Sequence, residues 1–379
     1  MIALLACAAP KSPGDPRPEP AHSALPAAPH SGPPTGDTGE PAGSGHTARA
    51  DATTVFVAQG DRGRLAISCD GGLTWPVDGS DDDTFRCFVD GDCDHDPGAG
   101  RGVAFGDGAF VATFGWGFPG SVRRLADGEA AFSTVLSGHT FAGVAFDAGV
   151  FLASERPPFR STDGGQSWAA AGEVTSAQWN VRRTGGGEGL FLVAFDSGAT
   201  DLAVSDDGGL TFRSPSVWPP ECGRSIQWEG GLGVAGGVAL VLGGDGVACR
   251  STDGGDTWTS APIGGSVTGR LVVGPAGFET WGDAGGVSTR FTSADGASWT
   301  AEPTTLAGAQ PGPWIGAVAR APDGTRAAVN AGWDQWYERQ RFYRSTDGLR
   351  WEELPAGAYT GSHPVRFLAA GESSGSPCP

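Results

Sequence analysis

The chain holds 379 residues with a net charge of −18, a hydrophobic content of 39%, 64 glycines and 13 tryptophans. That acidity excludes nucleic acid and an anionic bilayer surface as partners, because both are polyanions. No stretch sustains the apolar period of a helix, so the glycine-rich chain is read as all-β.

Residues 1–7 read Met1-Ile2-Ala3-Leu4-Leu5-Ala6-Cys7. Leu4-Leu5-Ala6-Cys7 resembles the lipobox of bacterial lipoproteins, which implies lipidation at Cys7 behind a truncated signal peptide. No basic residue precedes the apolar run, as a whole signal would require. Residues 8–52 are rich in Pro, Gly, Ser, Ala and Thr, with ten prolines from Pro10 to Ala50 and no Phe, Tyr or Trp. A segment without large apolar side chains cannot offset the entropy of folding, so it is read as a disordered, partly extended tether. The location implied is extracytoplasmic: a bacterial outer-membrane lipoprotein, or the periplasm or cell surface. The membrane is reached only through the lipid.

From 53 to 379 one pattern organises the chain. Ser161-Thr162-Asp163-Gly164-Gly165-Gln166-Ser167-Trp168 returns from Ser68 to Trp75, Ser205 to Phe212 and Ser251 to Trp258. Shortened copies run from Ser293 to Trp299 and Ser345 to Trp351, and a worn copy runs from Leu125 to Phe132. Their spacing, near the roughly 40 to 45 residues of a four-stranded blade, predicts a seven-bladed β-propeller in one domain. Each aspartate is expected to accept hydrogen bonds within a hairpin turn whose glycines take positive φ, and each aromatic to pack between sheets. Apolar runs such as Val55-Phe56-Val57 and Phe110-Val111-Ala112 predict strands. Gly106-Asp107-Gly108, Asp147-Ala148-Gly149, Gly185-Gly186-Gly187 and Pro322-Asp323-Gly324 predict hairpins between strands. The repeat begins at Thr53 with a second strand and ends at His363 to Ala370 with a first, so N- and C-terminal strands should share the closing blade.

The copies at Ser68 and Ser251 match Ser-x-Asp-x-Gly-x-Thr-Trp in full. The chain therefore resembles the Asp-box, or bacterial neuraminidase repeat, family, which includes sialidases and sortilin-type receptors. The resemblance covers Thr53 to Trp351. It implies boxes between the third and fourth strands of each blade, on the face away from the usual ligand site. It also implies structural roles for Asp70, Asp127, Asp163, Asp207, Asp253, Asp295 and Asp347. Function stays open, because one fold hosts many.

Six cysteines besides Cys7 suit disulfides in an exported chain, and they allow fifteen pairings. Cys87 with Cys93 would clasp one loop, Cys222 with Cys249 would lie in the fifth blade, and Cys69 with Cys378 would staple the closing blade. Eight aspartates fall between Asp78 and Asp96. Asp90, Asp92, Asp94 and Asp96 alternate there, and they offer either the hard oxygen donors of a Ca²⁺ site or a plain solvated loop. No other cofactor is expected.

Propeller function resides in the loops of the face opposite the boxes. Trp116, Trp333, Trp336 and Tyr337 fall in such loops and could stack on a sugar or a protein side chain. His95, Arg101, His139, Arg224, Arg270 and His363 stand near the starts of first strands, where arginines can hold a carboxylate or sulfate bidentately. The reading is a monomeric ligand- or protein-binding module with a glycan or protein partner. The rival is a glycoside hydrolase, which needs two carboxyl groups about 5 to 9.5 Å apart. Asp92, Asp96, Glu155, Asp283 and Asp334 are its candidate acids. A sialidase would further need an activated tyrosine, yet adjacent Tyr337 and Glu338 point to opposite sides of an extended chain.

Overall fold

Strands buried on both faces build the middle of the molecule. Ala109–Gly115, Val150–Ser154 and Val238–Leu242 are buried at every position, as expected of strands clamped between neighbouring sheets rather than facing water. The computed structural model describes residues 53–80, 99–115, 120–155, 157–171, 181–195, 202–223, 230–331, 340–361, 363–375 and 377–378. Among these residues seven sheets form a seven-bladed β-propeller, within the compact unit Ala48–Pro379. Cys7, the tether 8–52, the Cys87–Cys93 pair and Asp90, Asp92, Asp94 and Asp96 lie outside the described residues.

The first blade joins the two ends of the repeat. Its inner strand is Val365–Ser373, followed outward by Thr53–Gly60, Leu65–Ser68 and Val77–Gly79. Phe56 pairs with Ala370 and Thr53 with Ser373, so the ring closes as expected. The second blade is Ala99–Gly106, Ala109–Gly115, Ser121–Ala126 and Ser133–Ser137; the third is Gly143–Asp147, Val150–Ser154, Phe159–Ser161 and Ala169–Ala170. Val181–Gly187, Leu190–Phe195 and Leu202–Ser205 make the fourth, and Gly231–Ala235, Val238–Leu242, Val247–Ser251 and Thr259–Pro262 the fifth. The sixth has its inner position divided between Ser266–Val267 and Val272–Gly274, followed by Gly277–Asp283, Ser288–Ser293 and Thr300–Pro303. The seventh is Ile315–Arg320, Arg326–Asn330, Phe342–Ser345 and Arg350–Glu353, with Thr305–Leu306 added in parallel at its outer edge.

Two local expectations need correction. Gly185-Gly186-Gly187 is not a hairpin; it is the end of an inner strand, and the turn follows it. The glycines answer a different demand, because a Cβ on Gly185 would stand 2.4 Å from the Leu232 carbonyl oxygen of the next inner strand. The strand edges meet too closely at the axis for a side chain there. The fourth blade also departs from the four-strand plan: its described outer edge is a single bridge, Val204 to Arg213, closed by hydrogen bonds of 2.8 and 2.9 Å.

The repeats occupy the turn that leaves the third strand, which in every blade but the fourth leads to a fourth strand. In the full copies the serine hydroxyl donates to the aspartate (Ser161 to Asp163, 2.7 Å) and accepts from the second glycine (Gly165 N–H, 2.9 Å). The same carboxylate takes the amides of Gln166 and Ser167, each at 3.0 Å, and the Ser167 hydroxyl at 2.5 Å. In the shortened copies Asp295 and Asp347 keep the amide bonds, from Ala297 and Ser298 and from Leu349 and Arg350. The second glycine has a further duty: at Gly165, φ 83°, a Cβ would reach Val111 of the preceding blade at 2.7 Å.

The repeat also fastens blade to blade. Trp75, Trp258 and Trp351 are buried, and each packs into the apolar cluster of the preceding blade. Trp351 meets Trp281 edge-on at 5.7 Å, and the Trp281 indole donates to the Gly348 carbonyl at 2.9 Å. An arginine just ahead of a turn reaches forward to the next blade's turn carbonyl. Arg124 donates to Gly164 (2.7 Å), Arg160 to Gly208 (3.2 Å), and Arg344 to Gly71 (2.8 Å). Arg213 does the same for Gly254 at 2.6 Å from the outer edge of the fourth blade.

The worn copy serves the ring closure. Asp127 does not organise its own turn, where Glu129 accepts the Ala126 amide instead. Its carboxylate accepts the hydroxyls of Ser373 and Ser374 and the amide of Gly375, at 2.8 Å for the last. Nearby, Cys69 and Cys378 form a disulfide, and Cys222 pairs with Cys249.

Candidate functional site

The inner strands converge on the axis, and their first residues form the mouth on the face opposite the Ser-to-Trp turns. Four inner strands slip register there. The breaks fall between Gly100 and Gly102, Val181 and Arg183, and Ile315 and Val318, and in the closing strand opposite Gln59 and Gly60. A bulge adds one residue to a strand and re-aims its side chains. In the second blade the added residue is Arg101, and in the first it is Arg366.

The first blade holds the Arg101 bulge from both sides. The amide of Gly100 donates to the Asp61 carboxylate at 3.3 Å, and the amide of Gly102 to the Gln59 side-chain oxygen at 3.0 Å. The other Asp61 oxygen pairs with the Arg366 guanidinium at 2.8 Å. Across the mouth, Arg270 donates to the Arg366 carbonyl at 3.3 Å. The guanidinium carbons of Arg270 and Arg183 lie 4.5 and 5.5 Å from the centroid of the Phe367 ring, within range for cation–π attraction.

These groups enclose a central cavity of about 160 Å³ to which all seven blades contribute, with Arg101, Arg183, Arg270 and Phe367 in its wall. No described lining residue is acidic. Three guanidinium groups around a space of that size suit a carboxylate or sulfate. The volume is below the roughly 300 Å³ at which pockets for whole small molecules begin, so it matches a single side chain or charged substituent. Trp314, 39% exposed, stands just ahead of the seventh blade's inner strand, at the same end as Arg270.

The sequence-derived candidates divide. Arg101 and Arg270 come together in the cavity. Arg183 joins them, and the sequence does not single it out because the glycines after it predict a turn. His139 is engaged elsewhere: its Nδ1 lies 2.8 Å from Glu155, whose other oxygen accepts the Thr140 amide at 2.8 Å, and its ring meets Phe159 edge-on at 4.5 Å. His363 is fully buried, with its carbonyl accepting from Arg64, which also forms a bidentate pair with Asp78 at 2.8 Å. Asp283 caps its own hairpin by accepting the Gly286 amide at 2.8 Å. Glu155 and Asp283 therefore belong to different blades and neither lines the cavity. His95, Asp92, Asp96, Trp116, Arg224, Trp333, Asp334, Trp336 and Tyr337 lie outside the described residues. Among the described residues no group of three or more His, Cys, Asp or Glu is placed to hold a metal ion, and no helix is long and apolar enough to cross a membrane.

No protein-family model and no curated protein matches the chain. Solved structures do match its fold. A protein from Lactobacillus plantarum superposes with a TM-score of 0.51 at 10% identity, over 84% of this chain and 99% of that one. YCF48 from Cyanidioschyzon merolae gives 0.48 at 18% identity, over 70% and 87%. Apo AztD from Citrobacter koseri gives 0.46 at 12% identity, over 86% and 99%.

Proposed function

We propose that the chain is an exported propeller of the Asp-box type that binds an anionic group of a glycan or protein partner at its central mouth. The observation that carries this reading is the convergence of Arg101, Arg183 and Arg270 on one cavity of about 160 Å³. Guanidinium groups favour carboxylate and sulfate geometry. In this proposal Trp116, Trp314, Trp333, Trp336 and Tyr337 supply stacking surface around the mouth. Cys7 anchors the molecule, 8–52 holds the propeller off the membrane, and the aspartates from Asp90 to Asp96 take Ca²⁺ if the loop needs ordering. The formed disulfides fit an oxidising compartment.

Of the glycosidase candidates, Glu155 and Asp283 stand away from the cavity and the other three lie outside the described residues; the binding reading is supported by the arginines of the cavity. The test is to screen the full chain against arrays of carboxylated and sulfated glycans and of acidic peptides, beside chromogenic glycosides, with and without Ca²⁺. Retention of an anionic probe that R270A weakens by about tenfold or more, and that rising salt weakens too, is the expected result. Glycoside turnover lost on an Asp-to-Asn change at the mouth would overturn the binding-only reading.

A further inference from the structure

On the opposite face, the seam between the sixth and seventh blades opens into a second cavity, of about 570 Å³. That volume falls in the range of small-molecule sites, several times the room at the axis. Pro275 and its neighbours, in the turn between the sixth blade's inner and second strands, form one wall. The third and fourth strands of that blade form another, and Arg320 and Arg326 of the seventh blade close it.

The charges of the wall are matched with one exception. Glu279 and Arg326, both buried, form a bidentate pair at 2.8 and 2.9 Å. Arg290 pairs with Glu302 at 2.8 Å, and the amides of its own turn satisfy Asp295. The Arg320 guanidinium has no hydrogen bond or ion pair among the described residues, and it passes over Gly274, where a Cβ would stand 3.3 Å from Nη1. Thr292, Ser298 and Thr300 line the same space, and their hydroxyls make no hydrogen bond to described residues.

We infer that this seam is a second ligand site, for a small polyhydroxylated carboxylate of the size and functional groups of an acidic monosaccharide. Arg320 supplies the carboxylate's counter-charge, and the threonine and serine hydroxyls meet the ligand's own hydroxyls. The Glu279–Arg326 pair fixes the wall across the blade boundary, because breaking a buried pair leaves an uncompensated charge. The site is independent of the central cavity, being built on the opposite ends of the strands.

Calorimetric titration of the full chain with D-glucuronate and D-galacturonate tests this, with glucose and sodium sulfate as controls. Saturable uptake of a uronate is expected, matched by neither control and weakened about tenfold or more by R320A and measurably by T300V. A thermal melt of each variant shows that the fold is retained. No uptake of either uronate would overturn the inference. So would equal uptake of sulfate, or loss of uronate binding in R270A rather than in R320A, which would move the ligand to the axis.

Discussion

A serine hydroxyl that donates to an aspartate two residues on, and accepts from a glycine amide two further on, closes each full turn. The consequence is electrostatic. The Ser167 hydroxyl and amide, with the Ser161 hydroxyl, hold the Asp163 carboxyl down to about 2 from an ordinary 3.8, because bonds that need the charged form favour it. Ser373 and Ser374 likewise hold Asp127 at about 2, and Asp253 is lowered in the same way by Thr257 and Ser251. A depressed carboxylate contributes stability that is complete above its unfolded value and disappears as pH falls through its folded value. Urea midpoints should therefore be flat near neutrality and fall between about pH 4 and pH 2. D163N should be less stable than the parent at neutral pH, with the two midpoints converging below about pH 2. Parallel curves across that range would show that the Asp163 charge contributes nothing.

At the scale of strands and blades, the forward-reaching arginines tie neighbours that the turns alone would leave in apolar contact only. Arg160 and Arg344 immediately precede the serine of their repeats, and so does Arg250. A hydrogen bond from a charged donor to a part-buried carbonyl is worth about 1.5 to 3 kcal/mol at most. R160A should accordingly lower stability by about 1 to 2 kcal/mol. It should appear as a shift of the urea midpoint with an unchanged slope, since the same surface is exposed on unfolding. A midpoint within error of the parent would mean that water replaces the bond without loss. The Arg-Ser-x-Asp pattern marks the clasps of Arg160 and Arg344 in the sequence, but Arg124 and Arg213 clasp without it. The inner-strand bulges could not have been predicted, because they depend on where Gln59 and Asp61 of one blade fall against Gly100 and Gly102 of the next.

For the molecule as a whole, closure is the vulnerable step, since opening the first blade would expose unpaired strand edges. The ends are held by the strand pairing of Thr53–Gly60 with Val365–Ser373, by Asp127 on the C-terminal serines, and by the Cys69–Cys378 disulfide, whose partners are 309 residues apart. The partners of Cys222–Cys249 are separated by 27. Chain entropy gives a longer loop the larger effect, roughly 5 kcal/mol as an upper figure for the closing bridge. The double change C69S/C378S should thus lower the midpoint more than C222S/C249S does. The reverse order would mean that the strand pairing and Asp127 already close the ring without the bridge.

The sequence by itself determined the ring: six copies of a turn whose serine, aspartate, glycine and aromatic lie within eight residues of one another, and a worn seventh at the matching interval. Interactions that short in range are written in order along the chain. It also pointed to the shared closing blade, whereas which of the fifteen cysteine pairings forms was decided by the fold that brings Cys69 to Cys378. Tertiary structure decided the site. Arg101, Arg183 and Arg270 come from three blades, Phe367 from a fourth, and Arg320 shares a cavity with Arg290 only across a seam. Which guanidinium groups face one space depends on bulges, on glycines that let strands approach, and on the angle between sheets, and none of these is encoded within a single repeat.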